Sequence, residues 1–102
     1  MIKEIEKFNL ENNREMDIHS RFLDIQSELG ELGKEILKST KYGKQNFKLT
    51  TEFIEEFGDS CYSLISFGLE AGVDIEKAVL GVIEKYKKRL NEHGNMGSNK
   101  NN

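Results

Sequence analysis

The sequence predicts an all-α protein, an antiparallel four-helix bundle whose core is completed by oligomerisation. Three observations carry that expectation. Apolar residues recur at alternating steps of three and four, the spacing of one helix face rather than of a strand. The chain of 102 residues contains no proline, so nothing interrupts the i→i−4 ladder of a long helix. Cap-forming residues stand at the ends of each periodic stretch.

The first helix is expected over about Ile2 to Leu10, with Ile2, Ile5 and Phe8 on one side. The polar stretch Glu11 to Glu15 reads as a turn. The second helix spans about Asp17 to Tyr42, with a seam of Ile18, Phe22, Ile25, Leu29, Leu32 and Ile36. Asp17 suits its N-cap, and Gly43 suits a left-handed stop. A loop, Lys44 to Leu49, leads to Thr50 or Thr51, either of which can cap the third helix. Glu52 and Glu55 then favour the positive end of the helix dipole. This helix reaches about Ala71 before Gly72, along a seam of Phe53, Phe57, Leu64, Phe67 and Ala71. Asp74 caps a fourth helix, Ile75 to about Leu90, with Ile75, Val79, Val82 or Ile83, Tyr86 and Leu90 on its apolar side. Residues 1–90 thus read as one domain. Residues 91–102, rich in Asn and Gly, read as a flexible tail.

Composition narrows the function classes. A domain this short buries a modest fraction of its surface, so association is expected. The net charge is −3, which argues against a sequence-independent nucleic-acid binder. The single cysteine, Cys61, leaves no intrachain disulfide and fits a reducing, cytoplasmic setting. No stretch approaches the roughly 18 apolar residues of a membrane span, and the N-terminus lacks the apolar run of a signal peptide.

Two segments match one another. Glu28-Leu29-Gly30-Glu31 and Glu56-Phe57-Gly58-Asp59 both read acid, apolar, glycine, acid. Acids three apart lie about 60° apart around a helix, so each pair points one way. Each pair also holds the same phase to its seam: Glu28 follows Ile25 by three, and Glu56 follows Phe53 by three. With the seams facing, four carboxylates flank one groove. Such groups repel unless a cation sits among them. An all-oxygen set selects a hard ion, Mg²⁺ or Mn²⁺, which commonly shares its shell with substrate phosphates. A lone E-x-x-E is ordinarily a solvated face; the matched pair is what raises the metal reading. Gly30 and Gly58 each cost about 1 kcal/mol relative to alanine. Close helix approach or room for a substrate would account for them.

The paired E-x-x-E and E-x-x-D on consecutive helices resemble the MazG-type, all-α nucleoside triphosphate pyrophosphohydrolases. Glu28 to Leu37 is similar to the first motif helix of that family and Glu55-Glu56-Phe57-Gly58-Asp59 to the second. Gly72-Val73-Asp74-Ile75-Glu76-Lys77-Ala78 resembles the turn into its last helix. The likeness covers roughly Asp17 to Arg89, with Ser27 standing where the family often carries a second acid. The resemblance implies Glu28, Glu31, Glu56 and Asp59 as metal ligands. It implies cleavage of a nucleoside or deoxynucleoside triphosphate between the α and β phosphorus atoms, giving monophosphate and pyrophosphate. It also implies a homodimer or homotetramer with active sites near subunit contacts, and a role in removing unwanted nucleotides.

An acid beside the cluster must take a proton from the attacking water. Glu31, Glu35 and Glu55 are the candidates, and the spacing does not choose among them. Lys85, Lys88 and Arg89, late in the fourth helix, are candidates for binding phosphate; basic residues there also suit the helix dipole. Lys34 and Lys41 are weaker candidates. His93 can close over a nucleotide or belong to a disordered end, and His19 reads as a surface residue. Cys61, about 200° from Asp59, reads as packing. Tyr62 and Phe67 read as core or as a base-stacking surface, and Phe53 and Phe57 as core. Two rival functions stand beside the enzyme: a non-catalytic helical dimerisation module, and a di-iron bundle. The second needs Glu-x-x-His pairs, which this chain lacks.

Overall fold

A computed structural model describes residues 1–12, 16–95 and 97 of the chain. Among them are four helices and no strand: α1 (Ile2–Glu11), α2 (Ile18–Ser39), α3 (Thr51–Glu70) and α4 (Ile75–His93). The chain divides into two compact units, Met1–Gly72 with α1 to α3 and Val73–Asn102 with α4. None of the helices is long and apolar enough to cross a membrane.

Local chemistry accounts for the helix starts. The Asp17 carboxylate accepts from the Ser20 amide at 2.9 Å, Thr50 Oγ1 from Phe53 at 3.0 Å, and Asp74 from Lys77 at 3.1 Å. Each satisfies a first-turn N–H that has no partner within the helix. α2 stops at Ser39, three residues short of the expected Tyr42. Thr40 Oγ1 donates to the Ile36 carbonyl and accepts from the Gly43 amide. The backbone then runs through positive φ at Lys41, Tyr42 and Gly43. α3 stops at Glu70 with Ala71 as its C-cap, and Gly72 follows at φ +81°, a conformation that costs a glycine little. The fourth helix continues past Leu90 to His93, with left-handed Gly94 as its C-cap. His93 and Asn91 are therefore helical. Of the expected tail, residues 96 and 98–102 lie outside the described residues.

Within the first unit, α2 and α3 form an antiparallel pair. Phe22 meets Phe67 at 5.9 Å between ring centroids, and further along α2 Asp24 accepts from Ser63. α1 packs on α3 through the Phe8–Tyr62 edge contact and a polar chain. In that chain Tyr62 Oη donates to Asn9 Oδ1, and Asn9 Nδ2 donates to Ser66 Oγ at 3.0 Å. Asn9 and Ser66 are both buried, and their hydrogen bonds satisfy groups that would otherwise be costly to bury.

The expected apolar seams do not meet in a dry core. Among the described residues Ile25 is the buried apolar side chain, while Phe22, Leu29, Ile36, Phe57 and Leu64 stay about half exposed. The buried positions include Arg21 on α2 and Ser60, Ser63 and Ser66 on α3. The helix pair therefore closes on a polar stripe, and the apolar seam lies beside it. Rotation of each helix toward its acid and serine face is the physical difference from the sequence expectation.

Candidate functional site

Steps of four, three and four place Asp24, Glu28, Glu31 and Glu35 on one face of α2. The same steps place Glu52, Glu56, Asp59 and Ser63 on one face of α3. Because the helices are antiparallel, the two rows run past each other in opposite sense. Ser63 pairs with Asp24 at one end, and Lys38 feels both Glu35 and Glu52 at the other. Between these ends, carboxylate oxygens of Glu28, Glu56 and Asp59 lie within 4.8 Å of one another. Glu28 and Glu56 are half-buried, and Asp59 is exposed.

That geometry is electrostatically expensive for the bare protein. Burial raises the Glu28 carboxyl above the usual carboxylate range, and Asp59, Asp24, Glu56 and Glu31 push it the same way. Burial raises Glu56 too, reinforced by Asp59, Glu31, Glu35 and Glu55. Burial and the neighbouring negative charges together resist the ionisation of Glu28 and Glu56. Three oxygen donors with no nitrogen or sulfur among them form a set suited to a hard divalent cation. Such an ion would convert the mutual repulsion into attraction.

The other expected ligand, Glu31, stands one turn along α2 from Glu28. It is close enough to act on both Glu28 and Glu56, but it does not join the group of three. Its Oε1 accepts from Lys34 Nζ at 3.3 Å instead. Lys34, expected to hold phosphate, thus has a carboxylate partner on its own helix. Glu35 accepts from Lys38 at 3.2 Å, and its side chain is only 14% exposed. Lys38 is held above its usual pKa, first by that hydrogen bond and then by the charges of Glu35, Glu31 and Glu52. Glu55 is exposed and acts on Glu56 from the adjacent position. A cavity of about 350 Å³ opens between the helices here, lined by Glu35, Lys38, Ser39, Thr50 and Glu52.

The late basic residues belong to the second unit. Lys85 and Arg89 flank the Tyr86 ring at 5.4 and 5.9 Å from its centroid, a cation–π arrangement. Lys88 lies 3.9 Å from Glu92. His93 sits beside Glu92 at 3.5 Å, and His19 is fully on the surface near Asp17. Lys41 occupies the turn after α2 with φ +48°. Cys61 is a half-buried free thiol. Tyr62 and Phe67 are committed to Phe8 and Phe22. Phe53 packs between Phe47 and Phe57.

The glycines correct one expectation. A Cβ built at Gly30 or at Gly58 meets nothing within 4 Å. Close approach of the helices therefore does not require glycine at either position, and open space lies beside both. Asp24, Glu52 and Lys38 flank the site although they lie outside the two matched segments. Extending the four-three-four step one turn beyond each acid pair identifies the first two. Lys38 follows from its i+3 spacing to Glu35.

Neither a scan against protein-family models nor searches of the curated proteins and the solved structures found a match to this chain.

Proposed function

We propose that this chain is a Mg²⁺-dependent nucleoside triphosphate pyrophosphohydrolase, and the convergence of Glu28, Glu56 and Asp59 across two helices is the observation that carries the reading. Two matched acid segments, distant in sequence, supply that group, in keeping with the MazG-like resemblance. Glu28, Glu56 and Asp59 would hold the cation, with Glu31 completing the set after release from Lys34. Mn²⁺ would serve in its place, having similar preferences for oxygen. The bound ion would neutralise phosphate charge and lower the pKa of a coordinated water.

The chain's own residues then divide the work. Glu31 acts on both Glu28 and Glu56 and is one candidate to accept the water's proton. Glu35 is restrained by Lys38, and Glu55 is the remaining candidate. Lys34 and Lys38 supply positive charge on α2, the helix that carries Glu28 and Glu31. The half-exposed seam residues Phe22, Leu29, Ile36, Phe57 and Leu64 support a homodimer or homotetramer. Cytoplasmic house-cleaning of nucleotides fits this chemistry.

The test is direct. Purified protein incubated with each common NTP and dNTP should release monophosphate and pyrophosphate with Mg²⁺ and nothing with chelator. Glu56→Ala should lower turnover at least about 100-fold, the scale of removing an electrostatic contribution to the transition state. The exposed seam also favours a second reading, a non-catalytic helical association module. Under that reading Mg²⁺ neither raises the melting temperature nor supports hydrolysis of any nucleotide.

A further inference from the structure

The polar stripe between α2 and α3 poses a register problem. Helices normally lock by fitting large side chains of one into grooves of the other. Here the buried residues of α3 are Ser60, Ser63 and Ser66, small side chains that leave such packing to the half-exposed Phe22–Phe67 contact at one end. A shift of one residue moves a side chain about 1.5 Å along the axis and turns it off the interface. Glu28 would then miss Glu56 and Asp59.

The three serines do not spend their protons alike. Ser60 Oγ donates to the Glu56 carbonyl of its own helix at 2.9 Å, the local solution open to a buried helical serine. Ser66 accepts from Asn9 of α1. Ser63, only 3% exposed, donates across to Asp24 Oδ2 at 2.8 Å. That bond has a particular address. Asp24 is four residues before Glu28 on α2, and Ser63 is four residues after Asp59 on α3. In an antiparallel pair both offsets run the same way. The bond therefore sits one turn, about 6 Å, from the carboxylate group on each helix at once.

We propose that the Ser63–Asp24 hydrogen bond is a positioning contact that sets the register of α2 against α3 and so holds Glu28 opposite Glu56 and Asp59. The inference rests on the reading of those three acids as a cation site. Ser63 and Asp24 would act through the helices that carry the ligands, as supporting residues outside a coordination shell do.

Mn²⁺ binding to the full-length chain, measured by isothermal titration calorimetry, tests it. Ser63→Ala removes the donor without changing any charge. It should weaken Mn²⁺ binding about 10-fold or more, the usual effect of losing such support, with helicity by circular dichroism unchanged. Ser63→Thr, which restores a hydroxyl, should return affinity toward the parent value. In an Asp24→Ala background, Ser63→Ala should cause no further loss, because the partner is already gone. Where Ser63→Ala folds poorly, Ser63→Cys, similar in size with a much weaker donor, should show the same loss. Parent-like affinity in Ser63→Ala, or a full additional loss in the Asp24→Ala background, would overturn the positioning role and leave the cation site standing. A parent protein that binds no Mn²⁺ would overturn the cation site, and the positioning role with it.

Discussion

Glu28 and Glu56 carry the main electrostatic tension in the chain, and its sign makes a prediction. Both carboxyls are held above their usual range, first by burial and then by neighbouring acids. An acid whose folded pKa is raised binds protons more readily in the folded state than in the unfolded one. Stability contributed this way is present below the unfolded pKa and is lost as pH rises through the folded pKa. The cation-free protein should therefore melt at a higher temperature as pH falls toward the ordinary glutamate range. Scanning calorimetry of the parent and of Glu28→Gln checks this, and the substitution should flatten the slope. Asp17 behaves oppositely, in a separate window. Its pKa is lowered, first by the Ser20 amide hydrogen bond, so its contribution is lost only as pH falls below the usual aspartate range.

At the scale of the helix, caps and glycines separate stability from function. The Asp74 cap satisfies the Lys77 amide, and Asp74→Ala should cost about 1 kcal/mol in chemical denaturation. Gly30 and Gly58 lie within helices with open space where a Cβ would stand. Gly30→Ala and Gly58→Ala should therefore each stabilise the chain by about 1 kcal/mol. Each glycine lies about 200° around its helix from the first acid of its motif, so the same variants should leave KM for nucleotide unchanged while the melting temperature rises. A raised KM would mean that the substrate enters there.

At the scale of the whole molecule, the notable quantity is apolar surface left in water. Phe22, Leu29, Phe57 and Leu64 are 49%, 52%, 53% and 57% exposed. Burying such side chains contributes about 1.5–3 kcal/mol each, so association would recover a large hydrophobic term. Light scattering coupled to size exclusion should report a dimer or tetramer. Leu29→Glu or Leu64→Glu, which places a charge in that surface, should shift the chain toward monomer. A parent that is monomeric at high concentration would remove the oligomer from the proposal.

Helices and their starts were legible in the sequence because they depend on neighbours along the chain. Asp17, Thr50 and Asp74 each reach an amide three residues away, and the four-three-four spacing is local too. The matched acid segments, and hence Glu28, Glu56 and Asp59, were legible for the same reason. What periodicity could not decide was how far each helix turns about its own axis. The apolar seam and the acid row lie side by side on α2, and both are continuous. Only the tertiary structure shows that α2 and α3 meet along Asp24, Glu28, Ser63 and Asp59, because that choice depends on small serines on the opposing helix. It likewise drew Glu31 to Lys34 and left three acids rather than four in the central group. A carboxylate's partner is set by which charge stands nearest in space, and sequence spacing alone does not specify that distance.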